Sequence, residues 1–148
     1  MQDVQVCSEP KTFTIYGVSR THQEATNYSE DVQALMNQLW GEIGAKKLPH
    51  LGINHMIYSF NDEVIAGVEL KPEAAGIEHS LKPFTITLRS YAHFKHIGPY
   101  DRLCDAYDRI RAAAAASGLK VTQPGIEVYG HWNEDSAKLE TDIYQSVE

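Results

Sequence analysis

Glu127 is the one carboxylate in PGIEVYGHW, residues 124–132, where Ile126 and Val128 flank it, Tyr129 follows two residues on and Trp132 lies beyond. Residues two apart in a strand share a face. Glu127 and Tyr129 therefore point one way and Ile126 and Val128 the other. If the aliphatic pair faces the core, a carboxylate and a phenol line whatever lies opposite. An acid among aromatic walls suits a lipophilic cation, because the charge pairs with the carboxylate and each ring adds cation–π attraction of about 0.5–2 kcal/mol. A carboxylate beside a phenol is also a general base beside an acid. The plainer alternative leaves Glu127 as a solvated strand residue and the tyrosines as half-buried scaffold.

Other chemistries find less support. Seven histidines invite a metal reading, but His93 and His96 stand three apart on a strand pattern and point to opposite faces, and no HExxH is present. Cys7 and Cys104 have no histidines at metal-finger spacing, and Cys104 falls on the apolar side of a helical pattern, where a small core residue is expected. No metal and no cofactor is expected.

The chain of 148 residues is long enough for one well-cored domain, 1–148. Thirteen Lys and Arg against twenty Asp and Glu give a net charge of −7, with no basic run, so direct DNA binding is not expected. The acids are scattered, which makes a poor nucleic-acid mimic. No apolar stretch approaches the roughly 20 residues of a membrane span, and the opening MQDVQVCSEP lacks a signal pattern. A cytoplasmic protein is expected.

The elements that must position Glu127 recur twice. TFTIYGVSR alternates as a strand and leads to a helix capped by Asn27 with Glu30 in capping-box position. Val32, Leu35, Met36, Leu39, Trp40 and Ile43 form its apolar face, and Gly44 is expected to end it. Strands INHMIYSF and EVIAGVEL follow, joined at Asn61-Asp62. The second half offers one long strand, FTITLRSYAHFKH, and a helix opened by Pro99 and stopped by Gly118. Its apolar face is Tyr100, Leu103, Cys104, Tyr107 and Ile110, continued by alanines 112–116; strands GIEVYG and LETDIYQSV close the half. A shift of 71 residues superposes the helix faces, places Tyr58 on Tyr129 and Met56 on Glu127, and pairs Trp40 with Arg111. The pattern predicts an α+β fold of two pseudo-symmetric βαββ repeats, about 12–72 and 83–148, in one domain with a central ligand groove. Met56, Tyr58 and Phe60 would line the first half's share of that groove.

The segment SYAHFKHIGPYDRL, a helix after it, then PGIEVYG and LETDIYQSV, resembles the effector-binding domain of the GyrI-like (gyrase-inhibitor-like) family, which also forms the ligand-sensing part of AraC-type and MerR-type multidrug-responsive activators. The resemblance covers nearly the whole chain, with HxGPY and the acid of IEVY its most specific elements. It implies a SOUL-like fold and a groove for hydrophobic, often cationic small molecules. The family's groove glutamate corresponds to Glu127, Tyr91 and Tyr28 resemble groove tyrosines, and Trp40 resembles an aromatic late in the first helix. The sensor-like pattern starts near Thr12, leaving no room for a helix-turn-helix, so a stand-alone module is expected. Three functions follow from the resemblance: a binding module for lipophilic cations with a drug-binding or transcription-effector role; a hydrolase of strained electrophilic rings that uses Glu127 to activate water; and contact with another protein, a regulator or gyrase.

Overall fold

The structure, a computed structural model, describes residues 4–148. Its elements in chain order are strands β1 (Gln5–Cys7) and β2 (Lys11–Thr21), helix α1 (Tyr28–Lys46), strands β3 (His55–Tyr58), β4 (Glu63–Val68), β5 (Lys82–Leu88) and β6 (Tyr91–Ile97), helix α2 (Leu103–Ala116), and strands β7 (Val121–Tyr129) and β8 (Glu140–Val147). All strands join one antiparallel sheet in the order β1-β6-β8-β7-β3-β4-β2-β5. The order reads the same from either end once the two repeats are exchanged. The two βαββ units are thus related by a pseudo-dyad between β3 and β7.

The dyad can be placed to the residue. Met56 lies opposite Glu127 in the β3–β7 ladder, and 56 + 71 = 127, so each is the other's repeat equivalent as well as its cross-strand partner. The 71-residue shift fails beyond β7, because residues 130–139 join β7 to β8 where residues 59–62 suffice between β3 and β4.

The expected long strand through FTITLRSYAHFKH is two strands at opposite ends of the sheet. β5 pairs with β2, whereas β6 lies between β1 and β8. Each repeat therefore begins with a leading strand, β1 or β5, that pairs with the edge of the other repeat. Only residues 8–10 connect β1 to β2, yet six strand spacings separate them in the order. Flat, that is about 29 Å, and the link reaches no more than about 14 Å. The sheet must curl until its ends approach. Phe13 on β2 and Tyr144 on β8 accordingly meet with ring centroids 5.1 Å apart. The curl buries Phe13, Ile15, Ile57, Ile65, Leu88 and Ile126 on the face without helices.

Both helices cover the other face. Asn27 caps α1, its side chain accepting from Glu30 N–H at 3.0 Å, and Leu35, Leu39 and Ile43 pack on Met56, Val64, Ala66 and Val68. The helix passes through Gly44 and ends at Lys47, which itself takes the left-handed conformation. On α2, Ala106, Ile110 and Ala114 pack on Ala92, Phe94, Ile143 and Val147. Alanine there lets helix and sheet approach closely. Pro99 precedes a single 3-10 turn, Tyr100–Arg102, instead of opening α2, and Gly118 with φ +73° stands just past its end. Cys104 is exposed, contrary to the core position expected of it.

Candidate functional site

Glu127 sits where the two helix-covered cores part. Its cross-strand neighbours are Met56, of the α1 core, and Ile143, of the α2 core. Alternation on β7 sends Ile126 and Val128 into the helix-free core while Glu127 and Tyr129 face the helices. Glu127 is 5% exposed. Tyr129 donates to its Oε1, and Tyr107, reaching down from α2, donates to Oε2 at 2.5 Å. Among the described residues no Lys or Arg nitrogen lies within ion-pair distance of it.

Above it opens a cavity of about 470 Å³ lined by Tyr28, Tyr58, Tyr107, Arg111, Gln123, Gly125, Glu127 and Gln145. Burial first, then the Glu127 charge, pushes the phenols of Tyr58, Tyr107 and Tyr129 far above the ordinary tyrosine range. They remain neutral proton donors around an acid. Gly125 gives the floor its depth, since a Cβ there would stand 2.7 Å from Gln145 Oε1.

The structure gathers some of the residues singled out in the sequence and separates others. Glu127, Tyr58 and Tyr28 line the cavity. Tyr129 buttresses the acid from beneath, with its own N–H donating to Asn54 O at 3.0 Å. Met56 is fully buried beside the carboxylate. Trp40 packs on the α1 core and donates its indole N–H to Asn54 Oδ1 at 2.8 Å, so it fastens the residue that fastens Tyr129. Phe60 is 57% exposed and lines a separate cleft with Arg89 and Pro124. Tyr91 is turned to the helix-free face against Tyr144. The break at residues 89–90 resets the alternation, so Tyr91, a groove tyrosine by the family resemblance, reaches the same cluster as Leu88.

Sequence reasoning saw Tyr107 only as part of a helix's apolar face and Arg111 only as the repeat partner of Trp40. One further arrangement had no sequence signal. Asp31, with its side chain fully buried, lies 2.6 Å from His22 Nδ1 and 3.0 Å from Arg20 Nε, the latter out of line for a hydrogen bond. The His22 ring stacks on Tyr28 at 3.8 Å, and Tyr28 meets Tyr58 edge-on at 5.5 Å. An exposed tyrosine is thereby held as a wall of the cavity.

Among the described residues, no three His, Cys, Asp or Glu gather as a metal set, and no helix is long and apolar enough to cross a membrane. The sequence matches no curated protein. Solved structures of similar fold include the EcmrR C-terminal domain (20% identity, TM-score 0.66, 98% of each chain covered). Another is SAV2435 bound to tetraphenylphosphonium (15% identity, TM-score 0.61, covering 99% of this chain and 94% of that one). A third is a hydrolase from Listeria innocua (12% identity, TM-score 0.61, covering 99% and 92%). The family profile of the GyrI-like small molecule binding domain matches residues 3–148. Together with the paired repeats and the cavity at their seam, that match over almost the whole sequence makes the chain a member of the GyrI-like small-molecule-binding domain family.

Proposed function

We propose that the cavity binds lipophilic organic cations, with Glu127 as the charge partner and Tyr28, Tyr58 and Tyr107 as aromatic walls. The observation that carries this is the setting of Glu127: an acid 5% exposed that accepts from two neutral phenols, with no cationic side chain among the described residues in ion-pair contact. Taking an anion out of water is costly, and neutral donors offset only part of that cost. An arriving cation completes the compensation and gains the ring faces as well. The similar fold of SAV2435, bound to tetraphenylphosphonium, supports this ligand class.

The test is a fluorescence titration with a rhodamine monocation and a neutral dye of similar shape. Glu127→Gln should weaken the cation by about 1–3 kcal/mol and leave the neutral dye unchanged. Equal loss for both dyes would show that the residue acts through shape alone.

A second reading rests on the protonated phenols beside the carboxylate, which together make a base and acids within one cavity. Glu127 would activate water, and a phenol would protonate the leaving atom of a strained electrophile. Against it, both carboxylate oxygens already accept phenol hydrogen bonds. Turnover of an epoxide or aziridine that disappears in Glu127→Gln would favour this reading over simple binding.

A further inference from the structure

Glu127 is not the cavity's only charge. Arg111 also lines it, one helical turn beyond Tyr107 on the same face of α2. The acid is 5% exposed and the Arg111 side chain 56%, so the anion forms the floor and the cation the rim. Residues four apart on a helix are separated by roughly 6 Å along its axis.

Arg111 is available to a ligand. Its ion partner among the described residues is Asp108, held at 2.5 Å by a single nitrogen, in a pair whose side chains are 56% and 71% exposed. Pairs so exposed contribute little and exchange readily with competing anions. The planar guanidinium keeps further N–H donors for an incoming acceptor. Nearer the floor, Gln145 donates its amide N–H to Thr122 O at 2.5 Å, which leaves Oε1 over Gly125 as a polar edge of the cavity. The repeat equivalent of Arg111 is Trp40, which is turned into the α1 core. The rim cation therefore belongs to the second repeat alone.

A monocation with purely apolar substituents gains from Glu127 and is opposed by Arg111. A cation that carries an anionic group several ångströms away matches both. Resting on the cation reading above, we infer that the site selects amphoteric ligands: aromatic organic cations bearing a carboxylate or a comparable acceptor, the positive centre toward Glu127 and the acceptor at Arg111.

Rhodamine B, with a free carboxylate, and its ethyl ester, a monocation on the same chromophore, separate the two contributions. Fluorescence anisotropy titrations of wild type, Arg111→Gln and Glu127→Gln give the ratio of the two dissociation constants in each protein. Comparing ratios cancels the ester's greater lipophilicity. Arg111→Gln, on an exposed helix position, should shift the ratio toward the ester by about three- to tenfold, chiefly by weakening rhodamine B. A ratio unchanged by Arg111→Gln overturns the inference. In that event, loss of ester binding in Glu127→Gln would leave the cation reading standing. Binding of both dyes equal in wild type and Glu127→Gln, or absent for both dyes in wild type, would remove both readings.

Discussion

Tyr107 donates its phenol proton to Glu127 Oε2 at 2.5 Å, tying α2 to the central strand of the sheet across 20 residues of sequence. The bond serves two ends, since it satisfies a buried acid and sets the height of the helix that carries Arg111. Tyr107→Phe keeps the ring and deletes the donor. It should destabilise the protein by about 1–3 kcal/mol in urea unfolding at neutral pH. A loss below a few tenths would mean that water replaces the phenol without cost.

The same phenols predict an alkaline limit to stability. Tyr58, Tyr107 and Tyr129 hold their protons in the folded state well above the ordinary range, while the unfolded chain releases them near pH ~10. Above that pH the native state binds more protons, so their stabilisation is fully present below about pH 10 and falls as pH rises, by up to about 1.4 kcal/mol per unit for each tyrosine. Urea midpoints at a series of alkaline pH values should trace this slope, and Tyr107→Phe should flatten it by one tyrosine's share. Phenolate absorbance from all the tyrosines before unfolding would contradict the burial argument.

His22 is a positioning residue for the Tyr28 wall. His22→Ala removes the stacked ring and leaves the buried Asp31 with Arg20 alone. The expected result is a stability loss of about 1–3 kcal/mol and several-fold weaker binding of an aromatic cation. Tyr28→Ala, at an exposed helix start, should lose binding with little change in stability. Full dye affinity in His22→Ala at reduced stability would mean that His22 acts only on the fold.

Trp40 and Trp132 should report differently on their surroundings. Trp132 is 75% exposed, whereas Trp40 is half-buried and hydrogen-bonded to Asn54. Iodide should quench Trp132 and spare Trp40, as read in the single-tryptophan variants. Trp40→Phe deletes the indole donor and should cost about 1 kcal/mol, with a modest loss of dye affinity passed through Asn54 and Tyr129. Full affinity at reduced stability would confine Trp40 to the core.

Gly17 and Gly67 are paired on β2 and β4, and a Cβ on Gly17 would stand 2.0 Å from Ala66 O, a backbone atom with nowhere to go. Gly17→Ala should cost at least about 1–3 kcal/mol and shift the two strands. Wild-type thermal stability would show that the strands separate freely there.

Much of the site could be read from local rules. Alternation fixed which face Glu127 shares with Tyr129, and helical spacing found Leu35, Leu39 and Ile43 as well as Ile110. Asn61 and Asp62 both adopt positive φ at the β3–β4 turn, as a hairpin signal of that kind anticipates. What escaped depends on contacts distant in sequence. Tyr107 is an unremarkable apolar-face residue until α2 is laid over β7. The parting of β5 from β6 is hidden because alternating residues continue through the break, so Leu88 and Tyr91 reach one cluster although their spacing assigns them to opposite faces. The Asp31–His22–Tyr28 stack joins a strand end to a helix start, and no periodicity records such a meeting.

The exchanged leading strands and the Met56–Glu127 pair together bear on how such a binding site could originate. A chain of half this length could complete the same sheet only as two copies, each lending its first strand to the other. Every residue on the dyad would then face its own duplicate. An acid at this position would arrive twice, as two buried carboxylates in opposition that cannot both ionise. A lone glutamate opposite a methionine requires two halves of different sequence, as the two repeats of this chain are. The single negative charge at the floor of the cavity is therefore something the symmetric architecture could hold only after its two halves had ceased to be identical.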